Sequence, residues 1–179
     1  MNSLYWTQLE SGMWKLFLAA TETGLCYVGS PGAPFSELEA WAGKKLPDAV
    51  LERSDAALKR YADAVEAYLQ GTARRFEVPL DMKGTAFQQA VWEELLRIPY
   101  GATCAYGDIA SRIGRDSAVR AVGTAIGANP VLIVVPCHRV VGKDGSLTGY
   151  RGGMEAKEAL LRLEGAPIGA MTGAVRAAR

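Results

Sequence analysis

Apolar and aromatic residues cluster in three short runs at residues 3–9, 13–20 and 24–29, carried by Leu4-Tyr5-Trp6, Trp14-Lys15-Leu16-Phe17-Leu18 and Leu25-Cys26-Tyr27-Val28, and each run predicts a strand. Gly12 and the Thr21–Gly24 stretch supply the turns between them, so an antiparallel meander is expected. Ser36 followed three residues later by Glu39 reads as a capping box opening a helix over roughly 37–44, which Pro47 and Asp48 break. From Asp55 to Leu69 the spacing lengthens to about 3.6, with Ala57, Leu58, Tyr61, Ala64, Val65 and Tyr68 on one face of a second helix closed by Gly71. Phe76–Leu80 is a short extended piece, and 81–84 a linker.

Beyond Thr85 the pattern becomes helical. Thr85 and Gln88 form another capping box, before a stripe of Phe87, Val91, Trp92, Leu95, Leu96 and Ile98 that Pro99 and Gly101 stop. A short helix over Tyr106–Ile113, a turn Gly114-Arg115-Asp116 and a helix from about Ser117 to Gly127 make a helix-turn-helix pattern. The second of these helices presents small residues, among them Ala121, Thr124 and Ala125, and a single arginine, Arg120, near its start. It lacks large base-reading side chains, so it suits a backbone or a minor groove with little sequence preference. Five aliphatics, Val131 to Val135, sit between Pro130 and Pro136 and read as a buried extended segment, and a last helix runs from about Glu155 to Leu163. The expected division is a unit of residues 1–84 and one of 85–179, with 166–179 a loosely held tail.

Charge changes this picture modestly. The whole chain carries +1, but residues 1–84 hold 9 Lys+Arg against 11 Asp+Glu, net −2, and residues 85–179 hold 11 against 8, net +3. Arg112, Arg115, Arg120, Arg139, Lys143 and Arg151 supply that excess, opposed between Ile109 and Arg151 only by Asp116 and Asp144. A solvated face accounts for such a cluster, and so does a small footprint on nucleic acid. No run of about 18 apolar residues occurs, and the N-terminus lacks the build of a signal peptide, so a cytoplasmic protein is expected, with no membrane partner. Three cysteines at scattered positions argue against a disulfide framework, and a single histidine makes a four-ligand zinc site hard to build. Cys26, inside a strand pattern, reads as core.

The chemistry concentrates where Pro136-Cys137-His138-Arg139-Val140 follows the aliphatic run. Pro136 fixes its own φ and so stiffens the approach to a cysteine that stands beside the only histidine. A lone buried cysteine or histidine is more often structural than reactive. Here, however, the pentapeptide resembles the active-site signature of the O6-alkylguanine-DNA alkyltransferases, and the likeness extends from Gly84 to Gly165, including Ile98-Pro99-Tyr100-Gly101.

That resemblance implies an α/β protein: an N-terminal antiparallel sheet with helices, of ribonuclease-H-like roll type, and a C-terminal helical domain of winged helix-turn-helix type. It implies irreversible transfer of an alkyl group from O6 of guanine in duplex DNA to Cys137, each molecule acting once as a monomer, without cofactor or metal. His138 would be the base acting through a water, Glu164 its orienting acid, and Asn129 the tie between the helix pair and the active-site loop. Tyr106 would push on a phosphate and donate to guanine N3, and Arg120 would fill the vacated stack. Tyr150, Arg151 and the carbonyls of Cys137 and Val140 would line the base pocket. Arg151 departs from the small residue often found there, which leaves pocket size and charge open. Without the motif, Tyr106 reads as core and Arg120 as a surface charge. Two rivals remain, a lesion-binding protein of alkyltransferase-like type, in which the cysteine is replaced, and a small helix-turn-helix regulator.

Overall fold

A computed structural model describes residues 2–168 of the chain. It divides into two compact units, one of residues up to Lys83 together with Pro130–Val134, the other of Gly84–Asn129 and the chain from Val135 onward. The five residues 130–134 therefore leave the expected second unit and join the first. No helix is long and apolar enough to cross a membrane among the described residues.

In the first unit β1 (Asn2–Ser11), β2 (Trp14–Ala20) and β3 (Leu25–Val28) form the expected antiparallel meander. A fourth strand, β4 (Ala49–Arg53), pairs parallel with β1 and completes the order β3-β2-β1-β4. At the other edge, Leu80 and Val131 each make an isolated parallel bridge to β3, at Leu25 and Val28, so the edge is covered by short pieces of chain. The helix α1 (Phe35–Lys45) starts before the expected capping box, which does not form. Its N-cap is Pro34, and Ser36 lies inside the first turn. The acid of that turn has another use, since Glu37 Oε1 accepts from Tyr27 Oη at 2.6 Å and from Ser30 N at 2.9 Å. Helix α2 (Asp55–Leu69) is capped by Ser54 and buries Leu58, Tyr61, Val65 and Tyr68 at helical spacing. The core joins Leu4, Ala19, Cys26, Tyr27, Leu38 and Ala42, flanked by the edge-on and tilted rings of Trp6, Phe17 and Phe35. Cys26 is 0 % exposed and burial pushes its thiol to about 12, with the Asp81 charge adding to the rise, so it stays an unreactive core residue at neutral pH.

The bridge at Leu80 demands a glycine. A Cβ on Gly24 would lie 2.6 Å from the carbonyl oxygen of Pro79, a backbone atom that cannot swing aside. Gly24→Ala should therefore destabilise the fold by about 1–3 kcal/mol, the usual range for overpacking, read as a lowered urea midpoint at unchanged slope. An unchanged midpoint would show that the 79–80 segment is not held against Gly24 in solution.

In the second unit α3 (Ala86–Leu96) opens with both halves of the Thr85–Gln88 capping box, at 3.1 and 2.9 Å. Trp92 Nε1 donates to Ala125 O at 2.8 Å and pins α3 to α5 (Val119–Gly127). Between them, β5 (Cys104–Ala105) leads into α4 (Tyr106–Arg112) and pairs parallel with β6 (Val140–Val141). Gly114, at φ +71°, ends α4 in the left-handed conformation that glycine adopts without strain. Helix α6 (Met154–Leu163) closes the described chain before Glu164, whose backbone N–H bonds to Leu160 O. Most of the tail expected over 166–179 lies outside the described residues.

Candidate active site

The approach to Cys137 is sharper than an extended segment. Only Val131 pairs as a strand would; Val134 N then donates to Leu132 O at 2.8 Å across Ile133, which is held at φ +72°. This is the rarer, positive-φ form of γ-turn, and for a β-branched residue it stores strain of about 1–3 kcal/mol. A second, unstrained γ-turn follows at Pro136 (φ −83°, ψ 61°), where Cys137 N donates to Val135 O at 2.8 Å. Cys137, His138 and Arg139 then form one turn of 3-10 helix. Two tight turns in six residues are what an aliphatic run conceals, because the side chains are buried in either geometry.

Four expected residues form two buried pairs here. Asn129, fully buried, donates from Nδ2 to Val135 O at 2.9 Å and to Cys137 Sγ at 3.2 Å, so one amide holds the arriving backbone and the sulfur together. His138 Nε2 lies 2.7 Å from Glu164 Oε2. Glu164 also accepts from Arg139 Nε at 2.6 Å and from Gly101 N at 3.4 Å. Burial pushes the Glu164 carboxyl up, but the hydrogen bond and charge of His138 and the Arg139 guanidinium outweigh it and hold the group at about 2. An ionised Glu164 can only accept, so the imidazole keeps its proton on Nε2 and donates it to the carboxylate, which leaves Nδ1 as the basic nitrogen. Burial holds His138 below its ordinary value, which keeps it neutral and able to accept. Burial raises the Cys137 thiol, 5 % exposed, while the Asn129 hydrogen bond and the Arg151 and Lys157 charges pull the other way. At neutral pH the group is thus a thiol with several neighbours ready to stabilise its anion.

Lys157 is a site residue that the sequence reading missed. It is 1 % exposed, and its Nζ donates to Val140 O at 2.6 Å and Thr148 O at 3.3 Å, closing the neck of the loop between them. Burial drops its ammonium to about 8, with Cys137 acting in the opposite sense. The signal was present in the pattern, since Lys157, Leu160, Leu161 and Glu164 fall at i, i+3, i+4 and i+7, which puts the lysine on the apolar face.

The remaining expected residues separate. Tyr106 Oη is 2.7 Å from Thr148 Oγ1, tying the first helix of the pair to the loop after β6. Arg120, Ala121 and Thr124 are exposed on one face of α5, but Ala125 is 3 % exposed against α3 and is not on that outer face. Arg139 is buried on Glu164 and so leaves the expected basic surface. The Val140 carbonyl already accepts from Lys157, and the Cys137 carbonyl from Val140 N, each retaining a second lone pair. Tyr150 is half-buried, and Arg151 Nη2 donates to Asn129 O at 3.0 Å, so the unusual arginine braces the residue that touches the sulfur.

The second unit thus joins a helix pair to a buried cysteine whose neighbour in sequence is a carboxylate-held histidine, the parts of a protein that accepts a group on sulfur. Residues 86–166 match the family described as 6-O-methylguanine DNA methyltransferase, DNA binding domain, and residues 4–82 match its ribonuclease-like domain. The inducible methylated-DNA–protein-cysteine methyltransferase of Bacillus subtilis is 53% identical over 162 residues, 90% of each chain. The Methanosarcina acetivorans protein of that name is 42% identical over 90% of this chain and 99% of its own. Among solved structures, the O6-methylguanine methyltransferase of Mycobacterium tuberculosis aligns with a TM-score of 0.75 and 40% identity, over 92% of this chain and 93% of that one. The Mycobacterium tuberculosis protein in complex with DNA gives 0.75 and 39%, over 90% and 92%. The chain belongs to the 6-O-methylguanine DNA methyltransferase family.

Proposed function

We propose that this chain repairs DNA by direct reversal, moving the alkyl group of O6-alkylguanine onto Cys137. The observation that carries the reading is two buried contacts made by adjacent residues, Asn129 Nδ2 to Cys137 Sγ and His138 Nε2 to Glu164 Oε2, a donor for a thiolate and a carboxylate-held base next to it in sequence. The thiol proton passes to His138 Nδ1, and sulfur attacks the alkyl carbon in line. The S–C bond forms as the C–O6 bond breaks, and its electron pair leaves with guanine. A proton from Tyr106 neutralises the guanine anion, and the imidazolium proton restores the tyrosine through solvent. Nothing in the site can expel a thioether, so each molecule acts once.

The partner is duplex DNA, entered from the minor groove with little sequence preference, because the outer face of α5 offers one arginine among small side chains. Rotating the damaged nucleotide out costs a few kcal/mol, less where its pairing is already poor. Arg120 fills the gap, and the Cys137 and Val140 carbonyls receive the exocyclic amine. O4-alkylthymine is a second candidate lesion. The acting unit in this proposal is a monomer in the cytoplasm.

Incubation with duplex DNA carrying O6-methylguanine, followed by peptide mass mapping, should place one methyl group on Cys137 and leave Cys26 and Cys104 untouched. Cys137→Ala should lose transfer but keep lesion binding. A methyl group on either other cysteine, or none at all, sinks the assignment.

A further inference from the structure

Arg139 is the buried ion that the transfer scheme leaves without a task. Its Nε donates to both Glu164 oxygens, at 2.6 and 3.2 Å, its Nη1 donates to Ile98 O at 2.6 Å, and its guanidinium carbon lies 5.8 Å from the centre of the Tyr100 ring. Tyr100 Oη in turn donates to Leu163 O at 3.2 Å, next to Glu164 in sequence. The Ile98–Gly101 loop and the guanidinium therefore hold one side of the carboxylate, and His138 takes the other.

A buried arginine is an expensive way to fill space, because an apolar side chain of similar volume often serves stability as well. What only the charge supplies is neutralisation of Glu164. A buried carboxylate 2.7 Å from an imidazole, with no other counter-ion, stabilises the imidazolium. A histidine charged in that way has no lone pair left for the thiol proton. Burial is the largest influence holding His138 neutral; of the charges acting on it, Glu164 favours its protonation, and Arg139 and Lys157 side with burial in opposing it. Of the two cations only Arg139 touches the carboxylate.

We propose that Arg139 is a positioning residue that lets Glu164 orient His138 without charging it, so that the imidazole waits as a neutral base until Cys137 gives up its proton. This rests on the alkyl-transfer reading for its purpose, but its test does not need transfer to occur. The chain has one histidine, so a single imidazole NMR signal reports His138 directly. In Cys137→Ala protein, which removes the coupled thiol, His138 should be neutral at pH 7. Adding Arg139→Met should raise its titration midpoint by about 1–3 pH units, the span that an unscreened carboxylate produces. Arg139→Lys, which keeps the charge, should remain near the parent. Should Arg139→Met fail to fold, Arg139→Gln keeps a donor towards Glu164 without the charge and asks the same question. In alkyl transfer, the acid limb of the pH–rate profile should move up by the same amount in Arg139→Met, whereas loss of a merely structural contact lowers the rate at every pH.

An imidazole already charged at pH 7 in the Cys137→Ala parent overturns the proposal whatever the variants do. So does an unmoved midpoint in a folded, uncharged variant. A protein that shows the expected titrations but never acquires an alkyl group would instead retire the transfer reading and leave the role of Arg139 standing.

Discussion

Glu164→Ala should destabilise the protein by about 3–5 kcal/mol and abolish alkyl transfer, the largest effect expected of any single side chain here. Removing the carboxylate strands the buried Arg139 and takes away the acceptor that holds the proton of His138 on Nε2. The sign of its pH dependence follows from the depressed carboxyl. Glu164 titrates at about 2 in the fold against an ordinary 4.5, so its stabilisation is complete above 4.5 and is lost as pH falls towards 2. The stability gap between parent and Glu164→Ala, measured by urea unfolding, should therefore be constant from pH 7 to 5 and close as acid is added below that. Glu164→Gln separates stability from chemistry. Its amide still accepts from Arg139, but its –NH₂ meets His138 Nε2 and forces the proton onto Nδ1, the nitrogen that must stay basic. Transfer should fall by about 10²–10⁴, the usual worth of a general base, at a much smaller loss of stability. Near-normal transfer in Glu164→Gln would remove His138 from the role of base.

Arg120 is expected to give the second large effect, and a selective one. If its guanidinium only neutralises a phosphate, Arg120→Lys keeps most activity and shifts its salt dependence. If it occupies the gap left by the rotated nucleotide, an ammonium cannot replace a planar group that stacks, and the loss of about 1–3 kcal/mol slows repair roughly 5- to 150-fold. Arg120→Ala and Arg120→Lys should thus both be slow on duplex DNA while reacting normally with free O6-benzylguanine, which needs no rotation. The exposed position of Arg120 on α5, with no partner for its side chain among the described residues, fits a group held ready for a ligand. Equal losses on both substrates would move it from the DNA contact to the structure.

The elements whose signal is local were legible in the chain alone. The meander, α2, the Thr85–Gln88 box and the helix pair follow from short apolar runs set between turn residues, from a period of 3.6 and from caps that bond within four residues. The candidate site stood out too, because Pro136-Cys137-His138 sets a cysteine and the one histidine side by side. What escaped depends on distant partners. Strand β4 has little apolar pattern, lies at a sheet edge and pairs with residues about 47 positions earlier. Ser36 lost its box because Pro34 began the helix first. Ile133 adopts a positive φ that no pattern of aliphatics announces, since hydrophobicity records burial and not direction. The charges show the same division. Arg139 and Lys157 count as surface cations in a sequence, yet Glu164 and the carbonyls of Ile98, Val140 and Thr148 draw them inside, where burial turns the same charges into controls on Cys137 and His138. A sequence determines which groups are available and how each segment tends to coil, but a buried ion is stable only beside a specific counter-charge or acceptor, and that choice belongs to the tertiary structure.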